Sequence, residues 1–103
     1  MVAVHLQKYA HYLEDVFGRR VELRYFRDIE GREVDFVLTE KSNPILAMEC
    51  KLGGDEISKS LTYFKNKFTE VPCFQIHLNG KKDYTNLIGI RVAPAIEVLR
   101  TLV

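Results

Sequence analysis

The chain has little that marks an exported or membrane-bound protein. Its 103 residues hold two cysteines, Cys50 and Cys73, both in apolar, strand-like surroundings. Thiols so placed read as buried and reduced, not as the disulfide framework of a small secreted domain. A zinc motif would want closer Cys and His spacing. No apolar run approaches the roughly 20 residues that a membrane-spanning helix needs. The first residues carry no basic stretch ahead of an apolar one, so no signal peptide is read and a cytoplasmic location is expected. One sign of charge does not dominate either: 15 basic residues meet 14 acidic ones, a net charge of +1. That balance neither requires nor forbids nucleic acid, because binding depends on where the charge sits. Internal repeats and low-complexity segments are also missing.

What is present is the composition of a soluble globular domain, 47% apolar and 28% charged. The length fits a single domain over residues 1–103 with one core. Val2 to Phe17 reads as a helix, with Leu6, Tyr9, Ala10, Leu13, Val16 and Phe17 near a helical period and Gly18 as its stop. No capping residue precedes Val2, so the helix is expected to be cut from a longer protein. Val21 to Arg27 reads as a strand, followed by a turn at Asp28-Ile29-Glu30-Gly31. Glu33 to Thr39 is a second strand, with Val34, Phe36 and Leu38 expected on one face and Glu33, Asp35, Val37 and Thr39 on the other.

After a break at Asn43-Pro44, Ile45 to Leu52 is a third strand. Leu46, Met48, Cys50 and Leu52 would share one face, and Ile45, Ala47, Glu49 and Lys51 the other. Gly53-Gly54-Asp55 breaks the strand, and Glu56 to Phe68 reads as an amphipathic helix with an Ile57, Leu61, Phe64, Phe68 stripe. Cys73 to Leu78 is a fourth strand, Asn79 to Asp83 a polar turn, and Leu87 to Val92 a fifth strand. Pro94 then opens a last helix through Leu102. The expected order is α-β-β-β-α-β with a β-α tail, a mixed α/β fold.

The chemistry concentrates between Glu33 and Lys51. Residues two apart on a strand share a face, so Glu49 and Lys51 project together from an otherwise apolar segment. If the neighbouring strand pairs in register, Asp35 faces the same spot. Two carboxylates and an ammonium at one point suit a hard divalent cation beside a phosphate ester. The bland alternative is a solvated strand face with one weak ion pair. Both strands are apolar enough to be central, and the Glu-x-Lys sits at a strand end where backbone opens to solvent, which favours the site.

Asp35, then Glu49-Cys50-Lys51, followed by a helix, resembles the PD-(D/E)xK nuclease superfamily with its restriction-endonuclease-like αβββαβ core. More narrowly, Leu23-Arg24-Tyr25-Phe26-Arg27, Gly31 to Phe36, Glu49-Cys50-Lys51, Leu61 with Phe64, and Ile90-Arg91-Val92-x-Pro94-Ala95 with Leu99 look like the C-terminal DUF4143 domain of AAA-type ATPases. The resemblance covers nearly the whole chain. It implies Mg2+ or Mn2+ held by Asp35, Glu49 and the carbonyl of Cys50, with Lys51 positioning water or stabilising charge on the phosphate. It also implies a phosphate contact at Lys59, which otherwise reads as a solvated lysine on an amphipathic helix. The implied partners are DNA and an ATPase domain upstream in a longer chain, with a homo-oligomer possible.

Two departures stand out. Val34 replaces the proline of the motif, and the acidic residue such nucleases carry near the start of the first helix falls before Met1, since Glu14 and Asp15 lie at the helix end. No P-loop occurs here, because Gly53-Gly54 lacks the Lys-Ser/Thr that would follow. His5 and His11 do not share a helix face, and His77 reads as a satisfied histidine in an apolar strand. Arg19-Arg20, Arg24, Arg27, Lys65, Lys67 and Lys81-Lys82 would make a phosphate-binding surface or serve only solubility. The leading expectation is a metal-dependent endonuclease acting on DNA. Its rivals are an inactive nuclease-fold module for nucleic-acid or partner binding, and a purely structural domain.

Overall fold

The computed structural model describes residues 2–27, 31–52, 56–79 and 81–102. Helix α1 runs Val2–Phe17 and ends as its sequence predicts. Gly18 takes φ of 67°, a left-handed conformation in which a side chain would be strained. Its N–H bonds Glu14 O at 2.9 Å and that of Arg19 bonds Leu13 O at 3.2 Å, so the last turn is closed by main-chain bonds.

Strands β1 (Val21–Arg27), β2 (Glu33–Glu40) and β3 (Asn43–Lys51) form an antiparallel meander. Helix α2 (Lys59–Lys67) then crosses to β4 (Cys73–His77), which lies parallel to β3. A two-residue strand β5 (Tyr84–Thr85) precedes β6 (Ile90–Pro94), and α3 (Ala95–Leu99) follows. The sheet has six strands in the order β1-β2-β3-β4-β6-β5, with β3, β4 and β6 parallel. The expected mixed α/β order is present, with β5 added at the edge.

Two apolar layers sandwich the sheet. Leu6, Ala10 and Leu13 of α1 and Ala95, Val98 and Leu99 of α3 cover one face over Leu38, Met48 and Ile76. Leu61 and Phe64 of α2 cover the other over Val37, Ala47, Cys73 and Val92. Parallel strands buried on both faces are close to continuously apolar, so polar residues inside them stand out.

Several boundaries differ from the sequence reading. The β2–β3 hairpin turns at Lys41-Ser42, with φ of 53° and 67°, and Asn43-Pro44 belong to β3. Two consecutive positive φ values match the twist of a tight hairpin, but Lys and Ser rarely adopt them, so the turn carries no glycine signal. Helix α2 starts at Lys59, not Glu56, because the Ser58 hydroxyl accepts the Leu61 N–H at 3.1 Å and so caps it. The last strand begins at Ile90, and Leu87 is fully exposed. Pro94 ends that strand and caps α3, which stops at Leu99 short of Leu102. Leu52 is 72% exposed and shares no buried face with Cys50. The turn residues read at 28–30 and 53–55 lie outside the described residues.

The largest correction concerns β2. Val34 packs with Val37 in the α2 layer, whereas Phe36 and Leu38 pack towards α1 and α3. Simple alternation forbids that combination. The register explains it: between Arg24 and Phe26 on β1, two steps are matched by three on β2, from Val37 to Val34. The extra residue makes a bulge at Asp35-Phe36, and a bulge redirects side chains.

Candidate functional site

The bulge sits where β2 and β3 part. Their ladder reaches Phe36 across from Met48 and goes no further towards the β3 C-terminus. Beyond that point the Asp35 carboxylate takes the role of the missing strand, accepting the Cys50 N–H at Oδ2, 3.0 Å away. Ala47 donates to Pro72 O and Lys51 O accepts from Leu78, so the odd-numbered residues of β3 bond towards β4. Cys50 therefore turns its N–H, and with it its carbonyl, towards β2 and the Asp35 carboxylate.

Glu49 is half-buried, and burial above all pushes its carboxyl pKa up from the ordinary value. The nearby Ser58 hydroxyl holds the pKa down, Asp35 raises it further, and the Lys51 ammonium lowers it. Asp35, Lys51 and Ser58 thus act electrostatically on the Glu49 carboxyl. Glu49 Oε2 is buried and, among the described residues, has no hydrogen-bond partner. An ionised oxygen in that state costs about 1–3 kcal/mol or more, and a cation or a donor would relieve it. Lys51 donates from Nζ to Glu56 O at a long 3.4 Å, leaving the ammonium weakly held.

Lys59, expected to contact phosphate, is exposed at the first position of α2, and among the described residues it makes no polar contact with the other three. Cys50 presents backbone, not sulfur: its half-buried thiol packs against the α1 layer, and burial, then Asp35 and Glu49, push it up to about 11. Both cysteines are unpaired, as read from the sequence. Among the described residues no group of three or more Asp, Glu, His or Cys side chains could hold a metal. A cation here would rest on Asp35, Glu49, the Cys50 carbonyl and water, a donor set of oxygens that fits Mg2+ or Mn2+.

Three polar groups near the site carried no motif signal. Ser58 is one. Gln75, across from Glu49 on β4, is 2% exposed; it accepts the Ser58 N–H at 2.8 Å and donates to Glu56 O at 3.0 Å. His77, across from Lys51, is 4% exposed; Nε2 lies 2.8 Å from Lys82 O, so that nitrogen carries the proton. Among the described residues its Nδ1 is buried without a partner, so this histidine is only half satisfied there, contrary to the sequence reading. A buried polar residue inside an apolar strand was the available signal for Gln75 and His77.

Several of the basic residues are engaged within the domain. Arg19 is bidentate with Glu40 at 2.9 Å, Arg27 pairs with Glu33 at 3.4 Å, Arg24 pairs with Glu22, and Arg91 pairs with Asp83 at 2.8 Å. Lys65 donates to Val71 O at 2.8 Å.

Asp35 has two separable roles, and paired substitutions resolve them. Asp35→Asn keeps an oxygen for the Cys50 N–H and removes the charge beside Glu49. It is expected to stabilise the metal-free protein by about 0.5–1 kcal/mol at neutral pH. Asp35→Ala strips the acceptor and is expected to destabilise by about 1–3 kcal/mol. A carboxyl whose pKa rises on folding favours the native state when protonated, and that stability is lost as pH rises through the folded value. Glu49 is such a group, so the Asn advantage should fade as pH falls through its raised pKa towards its ordinary 4.5. Urea titrations across that range measure it; equal losses in both variants would show that no repulsion exists.

No helix among the described residues is long and apolar enough to cross a membrane. No curated protein and no solved structure is similar enough to match the chain. A family model described as a domain of unknown function, DUF4143, matches residues 1–95. The chain therefore belongs to the DUF4143 family.

Proposed function

We propose that the domain is a metal-dependent nuclease of the PD-(D/E)xK type, hydrolysing phosphodiester bonds in DNA. The observation that carries this reading is the fork between β2 and β3. There the Asp35 carboxylate and the Cys50 main chain meet, next to a Glu49 oxygen buried without a partner among the described residues. Asp35, Glu49 and the Cys50 carbonyl would hold Mg2+ or Mn2+. The ion supplies Lewis-acid polarisation of the phosphate and a bound water of lowered pKa.

The remaining work belongs to side chains. Lys51 reaches the same spot from the next outward position on β3. Its ammonium stabilises charge that builds on the phosphoryl oxygens as water attacks in line. Ser58 favours the ionised form of Glu49, the form that would hold the ion. The site lies at the C-terminal end of β3, beside parallel β4, the end of a parallel sheet at which ligands generally bind. Attachment to an AAA-type ATPase in a longer chain belongs to the same proposal, with DNA as the shared substrate.

A second reading is a nuclease-fold module that binds nucleic acid or a partner without turnover. Two observations favour it: among the described residues no three-ligand cluster exists, and Arg19, Arg27 and Arg91 are engaged in ion pairs. Incubating the protein with supercoiled plasmid in Mg2+ or Mn2+ separates the two. The nuclease reading expects nicking that stops in EDTA and in Asp35→Asn. DNA binding that persists in EDTA with no product supports the module.

A further inference from the structure

We propose that the outer edge of β1 is a self-association surface, independently of the chemistry at the fork. Its occupant is the β1 edge of a second copy of this chain, paired antiparallel about a two-fold axis. The six-stranded sheet ends in β1 on one side and in β5 on the other. These edges differ. β5 is two residues long, a short edge of the kind that discourages pairing. β1 runs seven residues, and among the described residues it pairs with β2 only. It holds neither proline nor lysine, and the extra residue of the bulge lies on β2, so β1 lacks these common blunting devices.

Charge is the remaining defence of an edge, and the order of charges on β1 is self-complementary. Glu22 and Arg24, both exposed, pair with each other along the strand. They stand across from Thr39 and Val37 of β2, on the side of the α2 layer to which Val37 belongs. Residues directly opposite in an antiparallel ladder are either both bonded across it or both turned away. A two-fold pairing of β1 with itself therefore matches even positions with even and odd with odd. Centring it on Glu22 sets Glu22 against its own copy, and centring it on Arg24 does the same to Arg24; both oppose like charges. Centring it on Leu23 sets Glu22 across from Arg24 of the second copy, and Arg24 across from that copy's Glu22. Leu23 then meets Leu23, and Val21 meets Tyr25. Of these registers only the last forms cross-strand ion pairs, and it adds an aromatic contact to a β-branched side chain. The two-fold stands normal to the sheet, so both α2 layers lie on one side of the joined sheet.

Charge exchange tests the register. Both substitutions fall on exposed side chains. Glu22→Arg sets a guanidinium across from Arg24 of an identical copy, and Arg24→Glu sets a carboxylate across from Glu22. Mixed together, the two variants again oppose unlike charges at both positions. Sedimentation equilibrium over rising concentration, at low and high salt, reads the association. Wild-type protein is expected to form a reversible dimer that weakens with salt. Each single variant should raise the dimer dissociation constant about tenfold or more, and the equimolar mixture should bring it back near the wild-type value. A wild-type monomer at every concentration overturns the proposal. So do single variants that dimerise as readily as wild type, or a mixture that stays as weak as its components. Should a variant not fold, amide exchange of the wild-type protein decides. Some β1 amides should become protected as concentration rises, and β1 exchange that ignores concentration overturns the edge pairing.

Discussion

Lys51→Ala should lower metal-dependent cleavage by about a hundred- to a thousandfold and leave Mn2+ affinity within a few-fold of wild type. The reasoning starts from the strand. Glu49 and Lys51 leave β3 on the same side, so the acid binds and the ammonium acts on what is bound. Among the described residues Lys51 makes one long hydrogen bond, to Glu56 O, so little is lost from the fold when it is removed. A donor aimed at charge developing in the transition state contributes about that factor when deleted. Glu49→Ala should behave differently, losing ion affinity and cleavage together. Plasmid nicking rates beside calorimetric Mn2+ titrations check the split. Wild-type nicking by Lys51→Ala would remove Lys51 from the chemistry.

Phe64→Ala is expected to cost about 3–5 kcal/mol, the range for truncating a buried aromatic. Phe64 is 1% exposed and is the largest fully buried side chain of the α2 layer. Its ring stands edge-on to Phe26 at 5.1 Å and tilted to Phe68 at 4.8 Å. Those contacts tie α2 to β1, and the α2 cap is Ser58, which holds the Glu49 pKa down. Loss of Phe64 therefore loosens the site as well as the core, and the Glu49 pKa should move with the denaturation midpoint. Val16, 58% exposed on α1, is a fair comparison, since Val16→Ala should change stability by less than about 0.5 kcal/mol. A loss below about 1 kcal/mol for Phe64→Ala would mean the layer repacks and does not anchor α2.

Much of the fold is legible in the sequence because its strongest signals are periodic. The α1 stripe marks that helix and Gly18 marks its C-terminal end. The Leu61 and Phe64 spacing marks α2, and the apolar runs mark β3 and β4. The misplaced features are those set by geometry that residue type does not announce. Lys41-Ser42 turn with positive φ although neither is a turn glycine. The β2 bulge breaks a pattern that alternates cleanly on paper, since Val34 and Val37 differ by an odd step yet pack in one layer. That same bulge moves Asp35 from a strand face into the fork, where its carboxylate replaces a ladder bond.

The candidate site divides along the same line. Asp35, Glu49 and Lys51 are readable as charges within apolar strands. Ser58 and Gln75 are not, because their importance lies in whom they touch: a residue of the next helix, and one of a strand far along the chain. Lys59 was drawn from resemblance and stands exposed beside the Ser58 cap.

The most direct measurement is a crystal of the protein soaked in Mn2+, read by anomalous diffraction. The account predicts a peak in the fork between β2 and β3, within bonding distance of the Asp35 and Glu49 carboxylates and the Cys50 carbonyl, and lost in Glu49→Gln. A peak elsewhere, or an empty fork in protein that Mn2+ saturates in solution, would contradict it.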